Sequence, residues 1–209
     1  NLILQNEEKL YSEKILYMKN IWNCHSGYEG ERQFNDAPMI KNKYITFGSF
    51  NNFRKINNDV IDVWSSILKK INNSKLILKA SDVAAVSKIS KEFEKKGVLN
   101  MVKFQPHTKN LNNHLNQYNN IDLALDTFPY NGVTTSFEAT WMGVPILTMK
   151  GYNFNSRCGE SINKNLDLDE LIARNENDYI EKAISLTKND KILNLRKFVF
   201  ENCMKSPLF

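Results

Sequence analysis

Cysteine is scarce: Cys24, Cys158 and Cys203 are the only three in 209 residues, and they lie far apart with no C-x-x-C pair. An odd, scattered set indicates neither a disulfide framework nor a zinc site, and a reducing compartment is expected. There is no run of about 18 apolar residues and no signal-peptide pattern, so the expectation is a soluble, cytoplasmic chain with no membrane partner. Histidine is also sparse, and His25, His107 and His114 form neither H-E-x-x-H nor part of a legible Ser/His/Asp set. No metal site is therefore expected. The dinucleotide fingerprint G-x-G-x-x-G and the P-loop G-x-x-x-x-G-K-[ST] are both missing. Charge of one sign is not concentrated: the net +5 is spread over many lysines. That balance suits anionic ligands in general but lacks the block or stripe that would point to nucleic acid.

What is present is the composition of an ordinary globular chain, 42% apolar and 24% charged, long enough to bury a real core. Residues 1–40 show no sustained period and read as an arm leading into the fold. Within it, Leu10 to Met18 is expected to be helical, and Trp22 to Pro38 to be loop broken by Gly27, Gly30 and Pro38. The chain opens at Asn1 and closes on Ser206-Pro-Leu-Phe209 without a helix-ending signal, which suggests a piece of something larger.

From residue 41 a regular alternation sets in. Tyr44-Ile-Thr-Phe-Gly-Ser-Phe50 reads as a strand. Val60, Val63, Trp64, Ile67, Leu68 and Ile71 then form one apolar stripe of a helix. Ser74 to Lys79 is a second strand, followed by a helix with Ser81 as its expected cap and Gly97 at its close. Met101 to Phe104 is a third strand, with a helix from about Thr108 to Tyr118 behind it. Ile121 to Leu125 is a fourth strand, Thr134 to Met142 a short helix ended by Gly143, and Pro145 to Met149 a fifth strand. From about Asn155 to Cys203 the pattern reads as several helices. Such alternation predicts an α/β fold: a Rossmann-like parallel sheet with helices on both faces, and functional residues just after the strands.

Four segments at strand ends carry candidate chemistry. In Ser49-Phe-Asn-Asn-Phe-Arg-Lys-Ile56, Lys55 can reach a diphosphate as a point charge and Asn52 can donate from its amide. In Asn131-Gly-Val-Thr-Thr135, Gly132 allows close backbone approach, and Thr134 or Thr135 is expected to cap a helix whose free N–H groups make an anion site. Glu138, one turn further along, can accept from a ribose diol or simply complement the helix dipole. His114 shares a helix face with Leu111, Leu115 and Tyr118, and either packs there or partners a nucleotide base. Asp167-Leu-Asp169 mimics a metal motif but reads better as acidic residues opening a helix. The residues alone thus give an anion-binding crevice and no named reaction.

Residues from about Glu13 to Phe209 resemble the C-terminal half of the catalytic region of O-linked N-acetylglucosamine transferases and their Spindly-type relatives. The resemblance is carried by Tyr44 to Ile56, by Asp122-Leu-Ala-Leu-Asp-Thr-Phe-Pro-Tyr-Asn-Gly-Val-Thr-Thr135, by Trp141-Met-Gly-Val-Pro-Ile-Leu-Thr148 and by Lys205-Ser-Pro-Leu-Phe209. It implies the C-terminal lobe of a GT-B glycosyltransferase, with residues 1–40 an arm from an N-terminal lobe and 41–209 the nucleotide-sugar-binding domain. Lys55 would be the catalytic residue that neutralises the diphosphate leaving group, with Asn52 bonding near it. Gly132, Thr134, Thr135 and the helix start would hold the phosphates, Glu138 the ribose, and His114 would lie beside the base. The resemblance further implies an inverting reaction that needs neither metal nor cofactor, with a UDP-sugar, UDP-N-acetylglucosamine in the first instance, as donor and its sugar transferred to Ser/Thr of a protein acceptor bound by other regions.

This sequence departs from the family pattern at two places. Val133 stands where animal enzymes carry a histidine, and Gln117 stands where they carry an arginine, which leaves the choice between uridine and guanosine open. A Spindly-like transferase using GDP-fucose and a non-catalytic nucleotide-binding module are the alternative readings. No tetratricopeptide period is visible in the chain.

Overall fold

The computed structural model describes residues 2–80, 82–188 and 191–209. Six strands form one parallel sheet: β1 (Thr46–Ser49), β2 (Lys75–Ala80), β3 (Val102–Pro106), β4 (Leu123–Leu125), β5 (Ile146–Met149) and β6 (Ile172–Ala173). Their spatial order is β3-β2-β1-β4-β5-β6. Every pairing is parallel, with Phe47 opposite Leu76 on one side and Leu123 on the other. The expected Rossmann-like architecture is therefore present.

Alternation along each strand divides the core in two, because successive side chains leave a strand on opposite faces. Leu76, Leu78, Leu123, Leu125 and Leu147 enter the larger core, whereas Ile77, Ala124 and Ile146 enter the smaller one. The larger core is sealed by α2 (Asn58–Lys70), α3 (Val83–Lys95) and α7 (Glu176–Leu186), which send in Trp64, Phe93 and Tyr179. On the other face, Ala139 of α5 (Thr134–Trp141) and Tyr118 of the 3-10 turn Gln117–Asn120 close over the sheet. The stripe read from sequence on α2 is buried: Val60, Val63, Trp64, Ile67 and Leu68 are all in the core. Each such side chain contributes roughly 1.5–3 kcal/mol of burial energy. Asn57 starts α2 by accepting from the Val60 N–H at 2.9 Å.

The cap expected at Ser81 lies outside the described residues, and the Asp82 carboxylate accepts from the Ala85 N–H at the start of α3. Gly97 ends that helix with φ +71°, and the Val98 N–H reaches back to the Phe93 carbonyl at 3.1 Å. α4 (Leu111–Asn116) is shorter than expected, capped by Asn110 and tightened at its end into the 3-10 turn. The last third holds α6 (Cys158–Lys164), α7 and α8 (Lys191–Asn202), as well as β6, which the helical reading of that region did not contain.

Two expectations for the arm are corrected. Leu10 to Met18 is not helical; a 3-10 turn covers Gln5–Leu10 instead. Leu10 and Leu16 are 75% and 83% exposed, so this stretch buries little apolar surface, and short helices without packing are marginal. Pro38, read as a breaker, opens α1 (Pro38–Asn42), where its missing N–H costs nothing.

Candidate functional site

The strand order reverses between β1 and β4, and the loops leaving the carboxyl ends of those strands enclose a crevice. At its floor is Asp126, fully buried just past β4. One carboxylate oxygen accepts from the Thr127 N–H at 2.9 Å and the Gly132 N–H at 2.7 Å, and the other from the Thr148 hydroxyl at 2.8 Å. These bonds fold residues 127–132 into a tight loop in front of α5. Gly132 is required there: a Cβ would stand 2.7 Å from Thr135 Oγ1 and 2.8 Å from Asn51 Oδ1. Burial pushes the Asp126 carboxyl up to about 6, against the opposing pull of the Gly132 N–H, the Thr148 hydroxyl, Lys55 and the Thr127 N–H.

α5 points its N-terminus into this crevice. The cap position is Val133, not Thr134 or Thr135, which are the first two helical residues. Valine has no side-chain acceptor, and the Thr135 hydroxyl is turned aside to Asn51 Oδ1 at 2.9 Å. The N–H groups of Thr134 and Thr135 consequently meet no acceptor among the described residues. An uncapped helix start of this kind offers free donors and the positive end of the helix dipole to an anion. Lys55, at the end of the 3-10 turn Phe53–Lys55, brings a charge to the same place. Its Nζ donates to the Asn131 carbonyl at 2.8 Å and lies 4.3 Å from the Tyr130 ring centre. Partial burial lowers its pKa, while Asp126 and Cys158 pull the other way.

One turn along α5 is a second group. Glu138 Oε2 accepts from the Tyr118 hydroxyl at 2.7 Å and is 2.8 Å from His114 Nε2. The other ring nitrogen, Nδ1, is in contact with Lys79 Nζ from the end of β2. Phe50 lines the same wall, tilted against both His114 and Tyr118. Burial and the neighbouring carboxylate raise the Tyr118 hydroxyl well above its ordinary range. Burial pushes the Lys79 ammonium down, opposed by Glu138.

Among the residues singled out from sequence, the structure brings Lys55, Gly132, Thr134 and Thr135 together at the mouth of α5. It places His114 and Glu138 in direct contact one turn away. Asn52 is not brought in: it is exposed, and its side chain accepts from the Arg54 N–H at 3.0 Å. Its neighbour Asn51 is buried in the crevice, with its amide nitrogen 3.4 Å from Asp126. Asn51, Asp126, Tyr118 and Lys79 went unassigned. Asp126 had a visible signal, an acid directly after an apolar strand, where burial is costly unless hydrogen bonds compensate. Asp167 takes a left-handed conformation and Asp169 opens a 3-10 turn, facts that settle the local backbone of that pair.

A parallel sheet in this order, with helices on both faces and an open helix start and a lysine at its switch point, defines the class by fold: a Rossmann-like lobe of the glycosyltransferase GT-B type. The chain belongs to glycosyl transferase family 41, whose model matches residues 32–209. It is 34% identical over 97% of its length to a tomato (Solanum lycopersicum) protein named probable UDP-N-acetylglucosamine–peptide N-acetylglucosaminyltransferase SPINDLY. The Arabidopsis thaliana protein of the same description named SEC is 26% identical over 96% of the chain. The chain spans 22% of the length of each. Among solved structures, a point mutant of the Thermobaculum terrenum O-GlcNAc transferase superposes with a TM-score of 0.89 at 28% identity, covering 98% of this chain and 39% of that one. Staphylococcus aureus TarM shares the fold at 16% identity and a TM-score of 0.66, covering 98% of this chain and 40% of TarM.

Proposed function

We propose that this chain is the donor-binding lobe of an inverting, metal-independent O-linked glycosyltransferase. Its donor would be a nucleoside diphosphate sugar, UDP-N-acetylglucosamine in the first instance, and its acceptor a Ser or Thr hydroxyl of a protein. The observation that carries the reading is the convergence of Lys55 with the uncapped start of α5 on one loop held by Asp126. In the transfer, the acceptor oxygen bonds to the anomeric carbon as the bond from that carbon to the diphosphate breaks. The departing electron pair adds negative charge to the diphosphate. Lys55 and the free N–H groups of Thr134 and Thr135 stand ready for that charge, a preorganised electrostatic stabilisation. Glu138 and His114, one turn deeper, suit the nucleoside end.

The acceptor and its proton are handled in this reading by the remainder of the protein. A cytoplasmic location belongs to the same reading, supported by three unpaired cysteines. Among the described residues, no helix is long and apolar enough to cross a membrane.

Calorimetry with UDP and GDP tests the proposal on this chain directly. Micromolar to millimolar binding of UDP is expected, and binding of neither nucleotide at millimolar concentration sinks it. GDP binding more tightly than UDP would redirect the reading to a GDP-sugar donor such as GDP-fucose.

A further inference from the structure

Lys79 stands at the carboxyl end of β2, outside every motif read from the sequence, and yet its ammonium is in contact with His114 Nδ1. The ammonium also comes within 3.5 Å of Nε2, but its contact with Nδ1 is much the closer, and because an ammonium group only donates, Nδ1 is assigned as the accepting nitrogen of the ring. The ring proton is then on Nε2, from which it donates to Glu138 Oε2 at 2.8 Å. The same carboxylate oxygen accepts from the Tyr118 hydroxyl at 2.7 Å. Oε2 thus holds two donors, while Oε1 has no partner among the described residues. Four elements meet in this relay: β2, α4, the turn after it and α5.

We propose that Lys79 is a positioning residue of the nucleoside end of the site: it holds His114 as the neutral Nε2–H tautomer, and the ring in turn locks Glu138 with Oε1 presented to a ligand hydroxyl. The ligand half of this inference rests on the nucleotide-sugar reading above; the tautomer half does not. Without the Lys79 donor, nothing fixes the ring proton on Nε2, and the tautomer with its proton on Nδ1 becomes available. That tautomer offers Glu138 no donor, so the carboxylate is no longer held with Oε1 toward the ligand. The charged and titratable groups facing the ring are Lys79 from β2, Glu138 from α5 and Tyr118 from the turn. Tyr28 of the arm is coupled electrostatically to both Glu138 and Tyr118. A lysine is suited to this role because it donates without accepting, so it permits only one neutral tautomer.

The test is nitrogen-15 NMR of the imidazoles in the ligand-free 209-residue chain at pH 7, where three histidines make assignment by His114→Gln straightforward. In the wild type, His114 is expected to show a bare Nδ1 and a protonated Nε2. In Lys79→Met, Nδ1 should gain a proton, and Lys79→Arg should restore the wild-type pattern. Affinity is then measured by calorimetry with UDP and GDP, and with uridine and guanosine. Lys79→Met should weaken nucleotide and nucleoside by the same factor, about tenfold for one lost hydrogen bond to a charged group. Lys55→Ala should act on the nucleotide alone. A wild-type His114 carrying its proton on Nδ1, or on both nitrogens, overturns the assignment even if the methionine variant fails to fold. Undiminished nucleoside affinity in a folded Lys79→Met, beside a changed spectrum, overturns the positioning role. Binding of neither UDP nor GDP by the wild type counts against the nucleotide reading, and the spectrum still decides the tautomer.

Discussion

Lys55 and Asp126 show how one charge is prepared for a ligand while the other is spent on the protein. Among the described residues Lys55 has one hydrogen-bond acceptor, the Asn131 carbonyl, and an aromatic ring beside it, which leaves N–H donors for a ligand. Lys55→Ala should therefore weaken UDP binding by about 1.5–3 kcal/mol, the range for a hydrogen bond to a charged group, and leave uridine binding unchanged. Equal UDP affinity in calorimetry would remove Lys55 from the site. Asp126 is buried, and its pKa of about 6 in the fold lies above the ordinary carboxylate value. A carboxyl shifted upward stabilises the fold fully below its unfolded pKa, and that contribution is lost as pH rises through the folded one. Asp122, also pushed up to about 6 by burial, adds to the same loss between about pH 4 and 6. In Asp126→Asn the Asp126 part of this loss disappears. The destabilisation caused by that substitution, measured by urea unfolding, should be larger at pH 4.5 than at pH 7. An equal penalty at both would mean that Asp126 is ionised throughout.

Among the elements, what was legible in the sequence was whatever followed a period. The stripe on α2 and the apolar runs of β1, β2 and β4 announce themselves because each buries a whole face. β6 does not, since two residues are too few to show alternation, and its partner β5 is what makes it a strand. The site was legible to the extent that it followed strands: Lys55, Gly132 and Glu138 stood out there. Asn51 and Asn52 could not be told apart, because the 3-10 turn that exposes one and buries the other is set by Phe53 anchoring in the core. Lys79 was hidden for a similar reason, as its role depends on a ring contributed 35 residues later. The capping roles given to Thr134 and Thr135 failed because Val133 holds the cap position. α6 supplies a prediction at this scale. A Cβ at Gly159 would stand 2.1 Å from Thr148 Oγ1 and 2.7 Å from Asp126 Oδ2. Gly159→Ala must push apart the bond that holds the loop, at a cost of about 1–3 kcal/mol. Urea unfolding should show that loss together with weaker UDP binding; an unperturbed variant would mean that α6 is free to shift.

At the scale of the whole molecule, the arm read as a leader into the fold is a clasp around it. Glu7 is paired with Arg157 through two bonds at 2.6 and 2.7 Å, and the His25 N–H donates to the Leu208 carbonyl. Arg32 does the most. Its guanidinium donates to the Trp141 carbonyl, the Phe200 carbonyl and Cys203 Sγ, and its centre lies 4.9 Å and 4.2 Å from the Trp141 and Phe200 rings. Trp141 ends α5, the helix that carries Thr134, Thr135 and Glu138, so the arm fixes from behind the element that faces the crevice. Arg32→Ala takes the guanidinium donor from the Trp141 carbonyl, leaves the Phe200 carbonyl with the weak Cys203 thiol at 3.7 Å, and removes the stacking. It should lower the unfolding free energy by roughly 2–4 kcal/mol, a sum of lost hydrogen bonds and cation–π contact. Arg32→Lys keeps the charge but not the planar fork, and should recover less than half of that loss. If α5 is held from this side, the alanine variant also binds UDP more weakly while still folded, as read by calorimetry below its melting temperature. Wild-type affinity in a folded but destabilised variant would show that the clasp supports the fold and leaves the crevice to organise itself.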